Sequence, residues 1–194
     1  MIATINKLLD PLRRRMRLMI GRAVLAAAAD DGKGIQLVQV KLLDGEVADG
    51  VERMQNYGYT SVPLAGAEGV MACVSGDRNH GIVVVMDDRR YRLKNLQPGE
   101  VALYTDEGDT IVMKRGRKIE VTAGAEITAT APVVKVEAST KVTLTTPLVE
   151  MTQDLSVGGS ITAAGDVTAD GISLKTHLTT GVVPGGGLSG GPQP

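Results

Sequence analysis

The stretch ITATAPVVKVEASTKVTLTTPLVEMTQDLSVGGSITAAGDVTADGISL, residues 127–174, decides how this chain folds. It repeats one short unit: two aliphatic or small residues two apart, a small polar residue, then a turn residue, at a spacing that shrinks from eight to six. The pairs run Ile127/Ala129, Val134/Val136, Val142/Leu144, Val149/Met151, Leu155/Val157, Ile161/Ala163, Val167/Ala169 and Ile172/Leu174. Between them stand Ala131-Pro132, Ala138-Ser139, Thr146-Pro147, Gln153-Asp154, Gly159-Ser160 and Gly165-Asp166. Alternation with period two makes each unit a short strand, and the Pro, Gly, Ser and Asp residues make each junction a turn. Self-similarity of this kind marks a β-solenoid or a fibrous β-prism, and the repeat region as a whole covers residues 119–174.

A single ribbon of such strands cannot bury its own apolar stripe, and it exposes a continuous row of unpaired backbone groups. One chain can coil into a β-helix, or three chains can wind around one axis. Leu155, Ile161 and Val167 keep the six-residue spacing of a left-handed single-chain β-helix, but upstream spacings of seven, eight and seven break that frame. A three-chain prism tolerates the drift, because each unit need only cross one face and turn. The expectation is therefore a homotrimer with an intertwined triple-stranded β-helix, a shaft on the order of 40 Å long at the usual strand spacing. Such a shaft has no cavity for a substrate.

Composition agrees with a thin, strand-rich body. The 194 residues include no Phe, no Trp and four Tyr, so the largest contributors to an ordinary core are nearly absent. A net charge of −1 gives no bulk field favouring nucleic acid or an anionic membrane, and nucleic acid is not expected as a partner. Cys73 is the lone cysteine, which excludes an intrachain disulfide and a cysteine metal cluster. No run approaches eighteen apolar residues, and the N-terminus lacks a secretory pattern, so the expectation is a protein made and folded in a cytoplasm.

The remainder is read around the repeat. Residues 1–21 read as a basic amphipathic helix, with Asp10 able to cap Pro11 at a first helical position. A docking segment suits it; a membrane-surface helix is the alternative, and its shortness argues against that. Residues 22–90 carry five short strand patterns, at 22–29, 35–43, 51–57, 69–75 and 81–86, separated by tight turns. Their number and spacing suggest a small OB-like barrel. Residues 91–118 add a β-hairpin connector, 101–105 and 110–114 around Asp106-Glu107-Gly108-Asp109. Residues 175–194 form the apex, ending in a Gly- and Pro-rich stretch. The fold class is thus all-β: an N-terminal OB-like barrel, then the trimeric shaft, with a short N-terminal helix.

Three phrases are more specific. Gln55-Asn56-Tyr57-Gly58-Tyr59-Thr60-Ser61-Val62-Pro63-Leu64-Ala65-Gly66-Ala67-Glu68, then Gly76-Asp77-Arg78-Asn79-His80-Gly81, then Leu96-Gln97-Pro98-Gly99-Glu100-Val101-Ala102-Leu103-Tyr104 closely resemble the Mu-type phage baseplate spike family of contractile tails. The resemblance implies a non-enzymatic central spike. Its barrel would join the tail hub, and its apex would pierce the host outer membrane when the sheath contracts. The location implied is the tail baseplate of a virion, assembled in the host cytoplasm.

The resemblance also draws attention to His177. Related spikes often carry a His-x-His pair near the tip, which brings six imidazoles to an iron on the axis. Here Thr179 stands where the second histidine would be. One histidine per chain still offers three ligands, enough for iron or another metal ion completed by water; three rings without metal, or holding an anion, are the alternatives.

Other candidates have plainer readings. His80 lies in a turn with Asp77 and Asn79, with no nucleophile in recognisable context. Asp106 to Asp109 lacks the ligand spacing of a calcium loop. Asp30/Asp31 and Asp87/Asp88 read as solvated carboxylates at strand ends. A hexapeptide-repeat acyltransferase is the enzymatic alternative, but it needs many more hexads than the three present.

Overall fold

The computed structural model describes residues 2–27, 30–176 and 185, in two units that divide after Val134. The first unit opens with helix α1, Ile2–Leu18. Pro11 is not at its start but inside it. Proline has no N–H, so the Lys7 carbonyl loses its helical donor. Residues 5–17 are all exposed, and water can take that carbonyl instead. Asp10, freed from a capping role, pairs with Arg13 at 3.6 Å. The helix ends before strand β1, Ile20–Leu25, where the Cys73 N–H donates to the Met19 carbonyl at 2.7 Å. Gly76 permits this docking: it has φ of +72°, and a side chain there would run into the Arg15 carbonyl.

Strand β1 is followed by β2 Gln36–Lys41, β3 Val47–Arg53, β4 Glu68–Cys73 and β5 Gly81–Asp87. They close into a barrel of order β1-β2-β3-β5-β4, with β3 and β5 parallel and every other pair antiparallel. This is the OB-like barrel that the strand spacing of residues 22–90 suggests. Alternation along each strand sends one set of side chains inward: Ala23 and Leu25, Val38 and Val40, Val51, Met71 and Cys73, and Val83. Irregularities in register between Val38 and Val40, and between Val70 and Met71, re-aim the strands so that these residues meet. The interior contains no aromatic ring. Its largest wholly buried side chains are Leu25, Met71, Val38, Val40 and Val83. Met71 reaches so close to Gly81 that any side chain at that position would collide with its methyl group.

Strands β6 Val101–Tyr104, β7 Thr110–Lys114 and β8 Lys118–Thr122 make a separate three-stranded antiparallel sheet. The expected hairpin is present as β6 and β7. The third strand follows because Gly116 and Arg117 adopt φ of +78° and +59°, which turns the chain straight back along β7.

From residue 123 to 167 the chain forms no helix or strand and bends at 124–125, 132, 139–140, 146–147, 152–153, 158–159 and 164–165. These bends fall at the junctions of the repeat. Among the described residues of 125–166, no backbone group bonds to another backbone group of the chain. In the second unit, β9 Thr168–Ala169 and β10 Ile172–Ser173 form a two-residue hairpin. Asp170 and Gly171 at φ of +49° and +78° supply its turn. The Asp166 carboxylate accepts the N–H groups of Val167 and Lys175 at 2.8 and 3.2 Å and so closes the hairpin's base. Among the described residues no helix is long and apolar enough to cross a membrane.

Candidate functional site

The backbone of the His80 turn, Cys73 and the Asp106–Asp109 segment take structural roles. In the turn before β5, the Asp77 carboxylate accepts the Asn79 N–H at 3.0 Å. The His80 N–H donates to the Asp77 carbonyl at 3.1 Å, and Val74 donates to the His80 carbonyl at 3.0 Å. His80 therefore closes a loop. Cys73 is buried in the barrel, and burial pushes its thiol above its ordinary value, away from the reactive thiolate. The Asp106–Asp109 segment is a hairpin turn, with the Thr105 N–H on the Asp109 carbonyl at 3.1 Å and the Asp109 carboxylate taking the Gly124 N–H at 2.9 Å. Among the described residues no group of three or more His, Cys, Asp or Glu side chains could hold a metal ion. His177 lies outside the described residues.

Asp30, Asp31 and Asp87 are exposed, as the solvated reading expects, and Asp88 is half-buried; all four also accept hydrogen bonds. Asp31 accepts from Gln36 Nε2 at 2.7 Å, and Gln36 Oε1 in turn accepts from Arg53 Nη1 at 2.8 Å. Arg53, only 8% exposed, also donates to the Ser61 carbonyl at 2.7 Å and to Ser61 Oγ at 2.9 Å. Burial pulls the guanidinium below its ordinary value, while Tyr59 and Asp31 act in the opposite direction. This network was not foreseen, although its signal is present: Arg53 has the parity of Val51 on β3, and so points inward with it. Arg53→Met leaves Gln36 Oε1 without its Arg53 donor and the Ser61 carbonyl with only the longer bond from Gln36 Nε2 at 3.2 Å. We expect a loss of about 1.5–3 kcal/mol, the usual worth of hydrogen bonds to a charged group. Urea titration should show this as a lower midpoint at unchanged slope.

Asp88 accepts from Arg90 at 2.9 and 2.5 Å, and that hydrogen bonding holds its carboxyl below the ordinary range. Arg90 also lies 5.2 Å from the centroid of the Tyr91 ring. Asp88 and Tyr91 border a cleft of about 710 Å³ in the first unit, lined among others by Arg53, Tyr59, Met86 and Tyr104. The Ser61 hydroxyl in its wall is taken up by Arg53 and Gln55. The cleft offers aromatic faces, charged groups and threonine hydroxyls.

What the chain does present openly is aliphatic surface. In the β6–β8 sheet the register aligns Val101, Met113 and Ile119 in one row and Leu103, Ile111 and Val121 in the next. All six are exposed. On the opposite face of the central strand, Val112 is buried. Farther along, both members of Val134/Val136, Val142/Leu144, Val149/Met151 and Leu155/Val157 stand in water, from 44% to 71% exposed. Burying a side chain of this size is worth about 1.5–3 kcal/mol, so an uncovered series of them is a surface awaiting a partner. The site in this protein is an association surface.

Comparison with known proteins points the same way. Residues 22–90 match the family described as Bacteriophage Mu Gp45, N-terminal, and residues 130–177 match the family described as Phage spike trimer. The chain is similar to the baseplate puncturing device gp45 of Escherichia phage Mu, with 48% identity over 137 residues, covering 67% of this chain and 69% of that protein. It is also similar to the Mu-like prophage FluMu protein gp45 of Haemophilus influenzae, with 43% identity over 104 residues, 54% of this chain and 56% of that protein.

Proposed function

Because the chain belongs to the family of the phage Mu baseplate puncturing device gp45, we propose that it is the structural central spike of a contractile-tail baseplate, a homotrimeric needle carried in the virion. On this reading residues 1–21 dock to the tail hub beside the barrel of residues 22–90, with residues 91–118 as connector. Residues 119–174 wind with two further copies into a triple-stranded β-helix, and residues 175–194 form the apex. Sheath contraction supplies the work and drives the apex through the host outer membrane. The spike contributes stiffness and slow unfolding, not catalysis. Assembly takes place in the host cytoplasm.

One observation carries the reading. Among the described residues, the backbone of 125–166 makes no bond to another backbone group of its own chain, while its aliphatic pairs face water. Three chains around one axis satisfy both needs at once: strand edges pair between copies, and the pairs turn inward. Sedimentation of the purified full chain tests it. An elongated trimer that withstands denaturant is expected, and a monomer or a compact globular species would overturn the reading.

His177 belongs to this proposal as an apex ligand for iron or another metal ion. One imidazole per chain, with Thr179 at the next alternate position, supplies three nitrogen donors per trimer. A zinc- or iron-type centre accepts such a set with water completing it, and the metal would pin three chain ends together. Metal analysis should find about one ion per three chains, and His177→Ala should lose it in full. Equal metal content in the variant would remove His177 from the role.

A further inference from the structure

We propose that the cleft of the first unit is a docking groove for a basic segment of a partner protein. The segment lays the aliphatic stem of a lysine or arginine along the apolar wall and sets its charged head among tyrosines and carboxylates. The inference concerns the first unit alone and is independent of the trimeric shaft.

The walls name the chemistry. Val62, Pro63, Leu64, Met86 and Ala102 give the cleft an aliphatic side. Tyr59, Tyr91 and Tyr104, three of the four tyrosines in the chain, stand in the same lining. One of these rings already has a guanidinium beside it, with Arg90 5.2 Å from the centroid of Tyr91. Among the described residues no cation stands over Tyr59 or Tyr104. A ring face of this kind attracts an ammonium or guanidinium group that comes within about 6 Å of its centroid.

Charge then selects the occupant. Asp87, Asp106, Asp109 and Glu126 line the cleft, and among the described residues none of them belongs to an ion pair. Asp87 and Asp109 accept backbone N–H groups and Glu126 accepts the Thr128 hydroxyl, contacts that leave each negative charge in place. The cation in the lining, Arg53, is buried and directs its donors to Gln36 and Ser61. Arg90 and Arg92 lie near Asp88 and Tyr104 but outside the lining. Such a surface repels a phosphate and attracts a cation.

The aliphatic side decides which cation. A free polyamine carries charge along its whole length and would set part of it against Val62, Pro63 and Leu64. A lysine or arginine side chain has an apolar stem and one charged end, which matches the two sides of the cleft. At about 710 Å³ the cleft is within the usual size of a ligand site, with room for the residues that flank the inserted one.

The test titrates the full chain by calorimetry with the capped peptide Gly-Val-Arg-Val-Gly. A second peptide carries citrulline in place of the arginine, with the same shape and no charge, and spermidine is the third ligand. The arginine peptide should bind, and the citrulline peptide should bind about tenfold more weakly. Asp106→Asn combined with Glu126→Gln, both at exposed positions, should weaken the arginine peptide about threefold to tenfold. A urea midpoint equal to that of the unsubstituted chain shows that the variant is folded. No binding of the arginine peptide at about 1 mM, where even a weak site fills, overturns the proposal. Equal affinity for the citrulline peptide overturns it too, as does full affinity in the folded variant. Spermidine binding as tightly as the arginine peptide would reject the protein partner and leave the cleft to a free polyamine.

Discussion

Aspartate in place of both Val142 and Leu144 yields a chain that sediments as a monomer, while its barrel unfolds at an unchanged denaturant midpoint. Both residues are exposed in the single chain, at 60% and 68%, so the substitutions remove nothing from its own packing. In a three-chain shaft they place six carboxylates around one axis. Each carboxylate taken out of water costs several kcal/mol, and like charges at close range add to that. The assembly also loses six buried aliphatics, worth roughly 9–18 kcal/mol per trimer at the usual side-chain value. No compensating contact is available in a core this narrow. Sedimentation velocity reads the association, and urea titration of the barrel shows that the lesion is confined to it. A trimer that survives both aspartates would mean that the repeat does not hold the copies together.

The second large effect is in the barrel. Met71→Ala should lower its stability by about 2–5 kcal/mol, the range for removing a wholly buried methionine from a packed interior. For a domain of this size each kcal/mol is worth about 4–8 °C, so calorimetry should find the barrel's transition lower by about 10 °C or more. Met71 is wholly buried, and its methyl occupies the space against Gly81. That contact gives the prediction a second arm. Gly81→Ala alone should destabilise, because the new methyl meets Met71. In the Met71→Ala background the same change fills part of the vacancy, so the double variant should be more stable than the sum of the two losses. Simple additivity would mean that the two positions are not in contact.

Most of the barrel strands were legible because each is a short apolar-alternating run closed by Gly, Asp or Asn, as at the turn Gly76-Asp77-Arg78-Asn79-His80; the third, read at 51–57, lies at Val47–Arg53, directly after Asp44-Gly45. Their arrangement was legible only as an analogy of number and spacing. Parallel pairing of β3 with β5, at Glu52 with Ile82 and Arg53 with Val83, joins residues far apart in sequence and leaves no local trace. At α1 a local rule misled. Asp10-Pro11 has the chemistry of a helix start, yet a helix exposed over residues 5–17 can hydrate the Lys7 carbonyl and continue through the proline. The strand β8 was hidden by its own regularity, because Ile119 and Val121 fit the repeat as well as they fit the sheet. The Arg53 network went unread for a related reason: an arginine is first taken as exposed, and only the inward parity of β3 argues otherwise.

Chains that share an axis must also agree on their alignment along it. Where the step is six residues throughout, as from Leu155 to Ile161 to Val167, a chain displaced by one unit again sets aliphatic against aliphatic and loses little. Upstream, the steps of seven, eight and seven between Ile127, Val134, Val142 and Val149 forbid this, since a displaced chain brings its bends beside its neighbours' straight segments. The uneven bends are therefore a ruler. A perfectly periodic needle would have many nearly equal ways to assemble out of step; in the proposed three-chain shaft this one would have a single frame, written where the repeat begins.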